Sequence, residues 1–258
     1  MTTAMVTGAT AGIGAAFARA LARRGHDLVL VARDSARLDS AARQLRTYGV
    51  KVDVLAADLT DEQGCARVEW RCGEGVDILV NNAGLGTKGA FHETPREQEE
   101  HLLRLNVRAP MRLTHAALPP MVARGNGAIV NVSSVAGFAP GIRAAPYSAS
   151  KAWLTNFSES LHLQYEGTGV QVLALCPGFT RTEFHSRAQM GSSGIPDRLW
   201  LDADDVVRTA LADLDRGRSM SIPGAQYKAI VAATRLVPPS VQRKVARGLQ
   251  SRFPGHRG

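Results

Sequence analysis

The chain has 258 residues, 45% of them hydrophobic, a formal net charge of +8 and three cysteines. That length and apolar content suit a large α/β core. The cysteines, Cys65, Cys72 and Cys176, are too few and too scattered for a disulfide framework or a zinc site, and no apolar run reaches the roughly 18 residues of a membrane span.

The start, MTTAMVTG, has no basic leader and enters a strand almost at once, so a signal peptide is not expected and the location read is cytoplasmic. The seven histidines show no metal-ligand spacing. The charge is uneven. Residues 216–258 carry nine Lys/Arg and no acid, while residues 1–215 carry 22 Lys/Arg against all 23 Asp/Glu. The body is near neutral and the tail is basic, so the high pI says little about the main fold.

Strand-like and helix-like segments alternate along the chain. A first apolar strand ends at Val6, and IGAAFARALARR (13–24) reads as a helix stopped by Gly25. DLVLVA (27–32) is a strand, 35–47 a helix, 51–58 a strand and 61–72 a helix. VDILVNNAG (76–84) is a strand with its turn, and one long helical stretch is expected over 95–124. Then come a strand at 127–134, a helix at 146–166, a strand at 170–178, a helix at 203–216 and a short strand at 219–223. Continuous apolar strands between helices imply a parallel sheet covered on both faces. The fold class expected is α/β, a doubly wound Rossmann-like sheet of seven parallel strands, with a short helical tail. The division read is a catalytic body over 1–223, including a substrate lid at 183–201, and a basic helical extension over 224–258.

Ligands on such sheets bind at the carboxyl ends of the strands. Six polar clusters fall at that rim. The first is T-G-x-x-x-G-x-G, with Gly8, Gly12 and Gly14. Bare backbone there lets a pyrophosphate approach the N-terminus of the next helix, where the Ile13 N–H would face it. The second strand ends at Ala32 and is followed by Arg33, suited to a 2′-phosphate, and Asp34, at the spacing of a ribose-binding carboxylate. Arg33 favours NADP(H), with NAD(H) not excluded.

Tyr147 and Lys151 stand four residues apart on one predicted helix face. A neighbouring ammonium and an oxidised nicotinamide would stabilise the phenolate and lower the tyrosine pKa from its usual value near 10. A drop of about three units corresponds to roughly 4 kcal/mol. Ser134 closes the fifth strand thirteen residues earlier and could hold a carbonyl oxygen while tyrosine supplies the proton. Ser133 should face the other way.

These residues resemble a classical short-chain dehydrogenase/reductase, and among them the bacterial reductases of generic NADP type. The resemblance covers about 4–223: TGATAGIG, Asp58-Leu59, NNAG at 81–84, Asn106, SS at 133–134, YSASK at 147–151 and PGFTRT at 177–182. It implies that the first-turn glycines cradle pyrophosphate and that Asp58 and Leu59 meet adenine. Asn81 would steady the central strand, with Ala83 and Gly84 near the cofactor. Asn106 would bend its helix and hold a relay water. Ser134 would orient the carbonyl, Tyr147 would be the general acid/base, and Lys151 would bind ribose and tune Tyr147. Pro177, Gly178, Thr180 and Thr182 would wrap the carboxamide. One departure stands out. Many NADP-preferring members carry a base just before the second motif glycine, where this chain has Ala11. Arg33 is then left alone, helped by the Thr10 hydroxyl.

The lid stretch 183–201 carries Phe184, Met190, Ile195, Leu199, Trp200 and Leu201, which suit either an apolar substrate or the core. In the tail, Ile230, Val231, Leu236 and Val237 form one apolar face. Val241, Val245 and Leu249 with flanking arginines form a basic amphipathic helix, which either caps the body or touches an anionic membrane surface. Partners expected are a small carbonyl or alcohol substrate and further copies of the chain, as homodimer or homotetramer. Nucleic acid is not expected. The competing reading is a non-catalytic protein that senses the cofactor.

Overall fold

A computed structural model describes residues 2–87, 89–140, 144–184 and 196–236. Seven parallel strands form one sheet in the order β3-β2-β1-β4-β5-β6-β7. They are β1 (Thr3–Thr7), β2 (Asp27–Ala32), β3 (Val52–Ala56), β4 (Ile78–Asn81), β5 (Gly127–Val132), β6 (Val170–Leu175) and β7 (Met220–Ser221). The helices are α1 (Gly12–Arg23), α2 (Ser35–Arg46), α3 (Glu62–Gly73), α4 (Arg96–Leu103), α5 (Ala109–Arg124), α6 (Ala145–Gln164), α7 (Ala203–Asp215) and α8 (Ala225–Leu236). This is the doubly wound architecture expected from the alternation of segments.

Strand alternation divides the core in two. Val6, Leu28, Leu30, Val130 and Leu173 face a layer built on Phe17 and Leu21 of α1 and Val206 and Leu211 of α7. Met5, Val29, Val31, Ile129 and Val172 face the layer of α3 and α5, with Val68, Cys72, Leu113 and Met121. Both helix faces are apolar at i, i+3, i+4 spacing, which is why short continuous strands could bury both sides. Carboxylates cap α2, α3 and α7: Asp34 accepts from the Arg37 N–H, Asp61 from Gly64, and Asp202 from Asp204 and Asp205.

The expected helix over 95–124 is three pieces. α4 passes through a π-helical turn (Arg104–Arg108) into α5. Pro110 explains part of this, because it has no N–H to offer the Asn106 carbonyl four residues earlier. The apolar face expected in the tail also differs. Among the described side chains of α8, Tyr227 and Val231 are buried, while Ile230 is 46% exposed. The Leu236 side chain, Val237 and the basic segment 241–252 lie outside the described residues. Among the described residues no helix is long and apolar enough to cross a membrane, and no group of His, Cys, Asp or Glu is arranged to hold a metal.

Candidate active site

The carboxyl ends of β1, β2, β3, β4, β5 and β6 open into one cleft of about 1010 Å³. That is at the top of the roughly 300–1,000 Å³ range of ligand pockets. Gly8, Thr10, Gly12, Ile13, Arg33, Asp58, Leu59, Ala83, Gly84, Ser134, Tyr147, Lys151, Pro177, Gly178, Thr180 and Thr182 all line it. Residues from six separate turns and from α6 thus border one cleft.

Three sequence candidates do not line the cleft. Gly14 faces the turn itself, where a Cβ would collide with the Gly8 carbonyl oxygen and the Asn82 amide. Its bareness serves packing of α1 under the loop. Asn81 is buried in the sheet and donates to Thr114 Oγ1 at 3.1 Å and Asn131 Oδ1 at 2.9 Å. This fits the strand-steadying part of the expectation but not direct cofactor contact. Its neighbour Asn82 lines the cleft instead, because successive strand residues face opposite ways. Asn106 is buried behind the cleft. Its Oδ1 accepts from the Leu85 N–H at 3.0 Å, and its Nδ2 donates to the Leu85 carbonyl at 2.8 Å and Ser150 Oγ at 3.2 Å. The side chain is committed to holding the β4 exit loop.

The first turn fits a phosphate-bearing dinucleotide. Gly8 and Gly12 have φ of +66° and +54°, a region closed to most side chains. A Cβ on Gly8 would lie 2.8 Å from Asn82 Nδ2, and one on Gly12 would lie 2.8 Å from Thr182 Cγ2. The cradle therefore exists only with bare backbone, beside the N-terminus of α1. Thr7, just before the glycines, braces it. The Thr7 Oγ1 accepts the N–H groups of Asn82 and Ala83, both at 3.0 Å, and donates to the Val80 carbonyl at 3.3 Å.

At the adenosine end, Arg33 is 71% exposed and stands 3.8 Å from Asp58. Burial works against ionising Asp58, but the Thr60 hydroxyl and N–H and the Arg33 charge outweigh it and hold its pKa below the usual value. Asp34 caps α2 and also borders the cleft.

At the other end, Ser134 leaves β5 and accepts from the Ala136 N–H at 3.1 Å. Its hydroxyl lies near that of Tyr147 and works against the burial-driven rise of the phenol pKa. Lys151 lies one helical turn below Tyr147, with Nζ 5.8 Å from the phenol centroid and donating to the Val132 carbonyl at 2.9 Å. Ser133 points away, as alternation demands, and bonds the Lys151 carbonyl and Thr155 Oγ1, both at 2.7 Å. Gly137 allows this approach, because a Cβ there would meet the Lys151 carbonyl carbon at 2.8 Å.

The expected tyrosine shift is not produced by the protein alone. Burial pushes Tyr147 up to about 12, against the opposing effect of Ser134. Burial also pushes Lys151 down to about 8. Two ionisable groups are buried side by side, and each is driven toward its neutral form.

Apolar and loop contacts complete this end. Phe184 packs on Tyr147 with centroids 5.9 Å apart, and Phe179 packs on Trp200 at 5.8 Å. Of the apolar stretch read as a lid, Phe184 lines the cleft, while Leu201 bridges to Thr180 and Trp200 lies under Phe179. Met190 and Ile195 lie outside the described residues. Tyr227 of α8, not foreseen from sequence, donates to the Leu199 carbonyl at 2.6 Å and accepts from the Phe179 N–H at 3.0 Å.

The family model for short chain dehydrogenases matches residues 2–191. The chain belongs to the short-chain dehydrogenase family. It is an oxidoreductase of CH–OH and C=O groups. A short-chain dehydrogenase from Sphingobium yanoikuyae, solved in complex with NADPH, is 39% identical and superposes with a TM-score of 0.85 over 100% of this chain and 98% of that one. The bulky-bulky ketone specific alcohol dehydrogenase from Comamonas testosteroni is 36% identical, with a TM-score of 0.80 over 100% and 97%. The granaticin polyketide synthase putative ketoacyl reductase 1 of Streptomyces violaceoruber is 38% identical over 198 residues, 74% of this chain and 72% of the relative. Four members of this short-chain dehydrogenase's rim went unassigned in the sequence: Thr7, Asn82, Arg37 and Tyr227. Thr7 and Asn82 belong to the TGATAGIG and NNAG motifs, and Arg37 lies four residues past Arg33. Tyr227 had no local signal.

Proposed function

We propose that this dehydrogenase uses NADP(H) to interconvert a carbonyl and a secondary alcohol on an apolar substrate of lipid, 3-oxoacyl or steroid type. The observation that carries the reading is the Ser134–Tyr147 hydroxyl pair, set beside Lys151 in a cleft whose far end presents Arg33. The NADPH-bound relative supports the cofactor. When bound, the nicotinamide supplies the hydride.

The chain's own part is positioning and proton transfer. The glycine turn would hold pyrophosphate, Asp58 and Leu59 would border adenine, and Arg33 would receive a 2′-phosphate. Pro177, Gly178, Thr180 and Thr182 would hold the carboxamide. Ser134 would donate to the substrate oxygen, which fixes the carbonyl plane. Tyr147 would give its proton to that oxygen in reduction and remove it in oxidation. Lys151, near neutrality at mildly basic pH, would share protons with the ribose hydroxyls and with solvent. The side chain of Asn106 is already engaged, so its carbonyl, deprived of a helical donor by Pro110, is the group suited to hold the relay water.

Phe184 beside Tyr147, and Phe179 lining the same cleft, support an apolar substrate, as do relatives named for bulky ketones and ketoacyl groups. The exposed Met111 of α5 and Leu163 of α6 are consistent with pairing of copies. The test is NADPH consumption across ketones, aldehydes and 3-oxoacyl thioesters of increasing chain length. Turnover that rises with chain length supports the whole reading. Turnover confined to small polar carbonyls removes the apolar substrate, and tight NADPH binding without turnover of any carbonyl favours a sensing role.

A further inference from the structure

Read from sequence, Arg33 alone serves a 2′-phosphate. The fold supplies a second guanidinium. Arg37 lies in the first turn of α2, placed there by the Asp34 cap that accepts its N–H at 3.0 Å. Its side chain reaches back across the cleft mouth. Nη2 donates to the Thr10 carbonyl at 3.3 Å, so the charge sits against the residue that precedes Ala11. The base absent from the glycine turn is thereby replaced from α2. Arg33 and Arg37 border the same cleft, next to Asp58.

Arg37 already has an anionic partner. Its Nη1 and Nη2 donate to the two carboxylate oxygens of Glu183 at 3.2 and 2.9 Å, a bidentate pair of the kind a phosphate also makes. The pair is open to water, with side chains 40% and 49% exposed. An exposed carboxylate pair is held weakly. A phosphate monoester brings more charge and three acceptor oxygens.

We propose that Arg37 is a second ligand for the 2′-phosphate and that Glu183 is a counter-ion exchanged for that phosphate. The inference rests on the NADP(H) reading and deepens it. With a ribose hydroxyl in place of the phosphate, Glu183 keeps Arg37. With the phosphate, Arg37 turns from Glu183 to the cofactor and closes a two-arginine clamp with Arg33. Discrimination between the two cofactors is then shared by residues on the β2–α2 turn, on α2 and beyond Thr182.

The test is equilibrium binding, by calorimetry, of 2′,5′-ADP, 5′-AMP, NADPH and NADH to the wild type, Arg37→Gln, Arg33→Gln and Glu183→Gln. Arg37→Gln should weaken 2′,5′-ADP and NADPH about tenfold and change 5′-AMP and NADH less than about twofold. Glu183→Gln should tighten 2′,5′-ADP a few-fold, because the competing carboxylate is gone. If Arg37→Gln weakens all four ligands equally, or none, the ligand role is overturned. If Glu183→Gln leaves 2′,5′-ADP unchanged or weaker, the exchange is overturned. A wild type that binds 2′,5′-ADP no better than 5′-AMP removes the NADP(H) reading itself. A wild type that prefers 2′,5′-ADP, with Arg33→Gln alone abolishing the preference, removes only the role of Arg37.

Discussion

The ring of Tyr227 fills the space that a side chain on Gly178 would occupy, and its hydroxyl ties Phe179 to Leu199. A C-terminal helix thus sets the position of the loop after β6, through one phenol packed on one glycine. Gly178→Ala forces a Cβ into that ring. Overpacking of this kind costs about 1–3 kcal/mol. The expected result is a lower midpoint in urea unfolding together with a raised KM for NADPH. Tyr227→Phe keeps the packing and loses the two hydrogen bonds. It should raise the KM for NADPH a few-fold with a smaller loss of stability, and equal cofactor KM values for wild type and variant would refute the positioning role.

Tyr147→Phe removes the hydroxyl that neighbours Ser134 and leaves the ring against Phe184. General acid–base groups contribute about 10²–10⁴ in rate. The variant should lose that much kcat while fluorescence titration gives nearly unchanged NADPH binding. Retention of more than about a tenth of the activity would exclude Tyr147 as the proton donor.

The two shifted groups predict opposite effects of pH on stability. Lys151 falls from 10.5 unfolded to about 8 folded, so the folded state binds fewer protons between those values. Its contribution is full above about 10.5 and is lost as pH falls through about 8. Tyr147 rises from 10 to about 12, so its contribution is full below about 10 and is lost as pH climbs through about 12. The lysine effect is on the order of 3 kcal/mol. Lys151→Met should therefore gain most over wild type at pH 7 and lose that advantage by pH 10.5, as read from Tm against pH. A difference between the two proteins that stays flat from pH 7 to 10.5 would contradict a lowered Lys151.

Thr7→Val keeps the shape of the side chain and removes the acceptor for the Asn82 and Ala83 N–H groups. Each buried N–H left unpaired costs about 1–3 kcal/mol. The variant should unfold at clearly lower denaturant, and cofactor affinity should fall with it, since both donors border the cleft. An unchanged unfolding midpoint would mean that water replaces the threonine oxygen.

The sequence by itself determined the layer architecture and most of the rim. Strand and helix periods are local, and the residues after each strand must lie at one edge of a parallel sheet, so Gly8, Arg33, Asp58, Ser134 and Pro177 could be gathered without coordinates. Tyr147 and Lys151 needed only the helical repeat. The details that depend on one face against the other were decided by register: Asn82 rather than Asn81 reaches the cleft, and Gly14 packs under the turn that Gly8 and Gly12 open. The break at Asn106 had a local cause in Pro110, yet its direction was set by Leu85, 21 residues earlier. The rest belongs to tertiary structure alone. Arg37 meets Glu183 across 146 residues and Tyr227 meets Phe179 across 48, and neither pair leaves a periodic trace in the chain. Even the pKa values followed this division. The spacing of Tyr147 and Lys151 placed the two groups together, but burial against the sheet, a property of the folded whole, decided that both are driven toward neutrality.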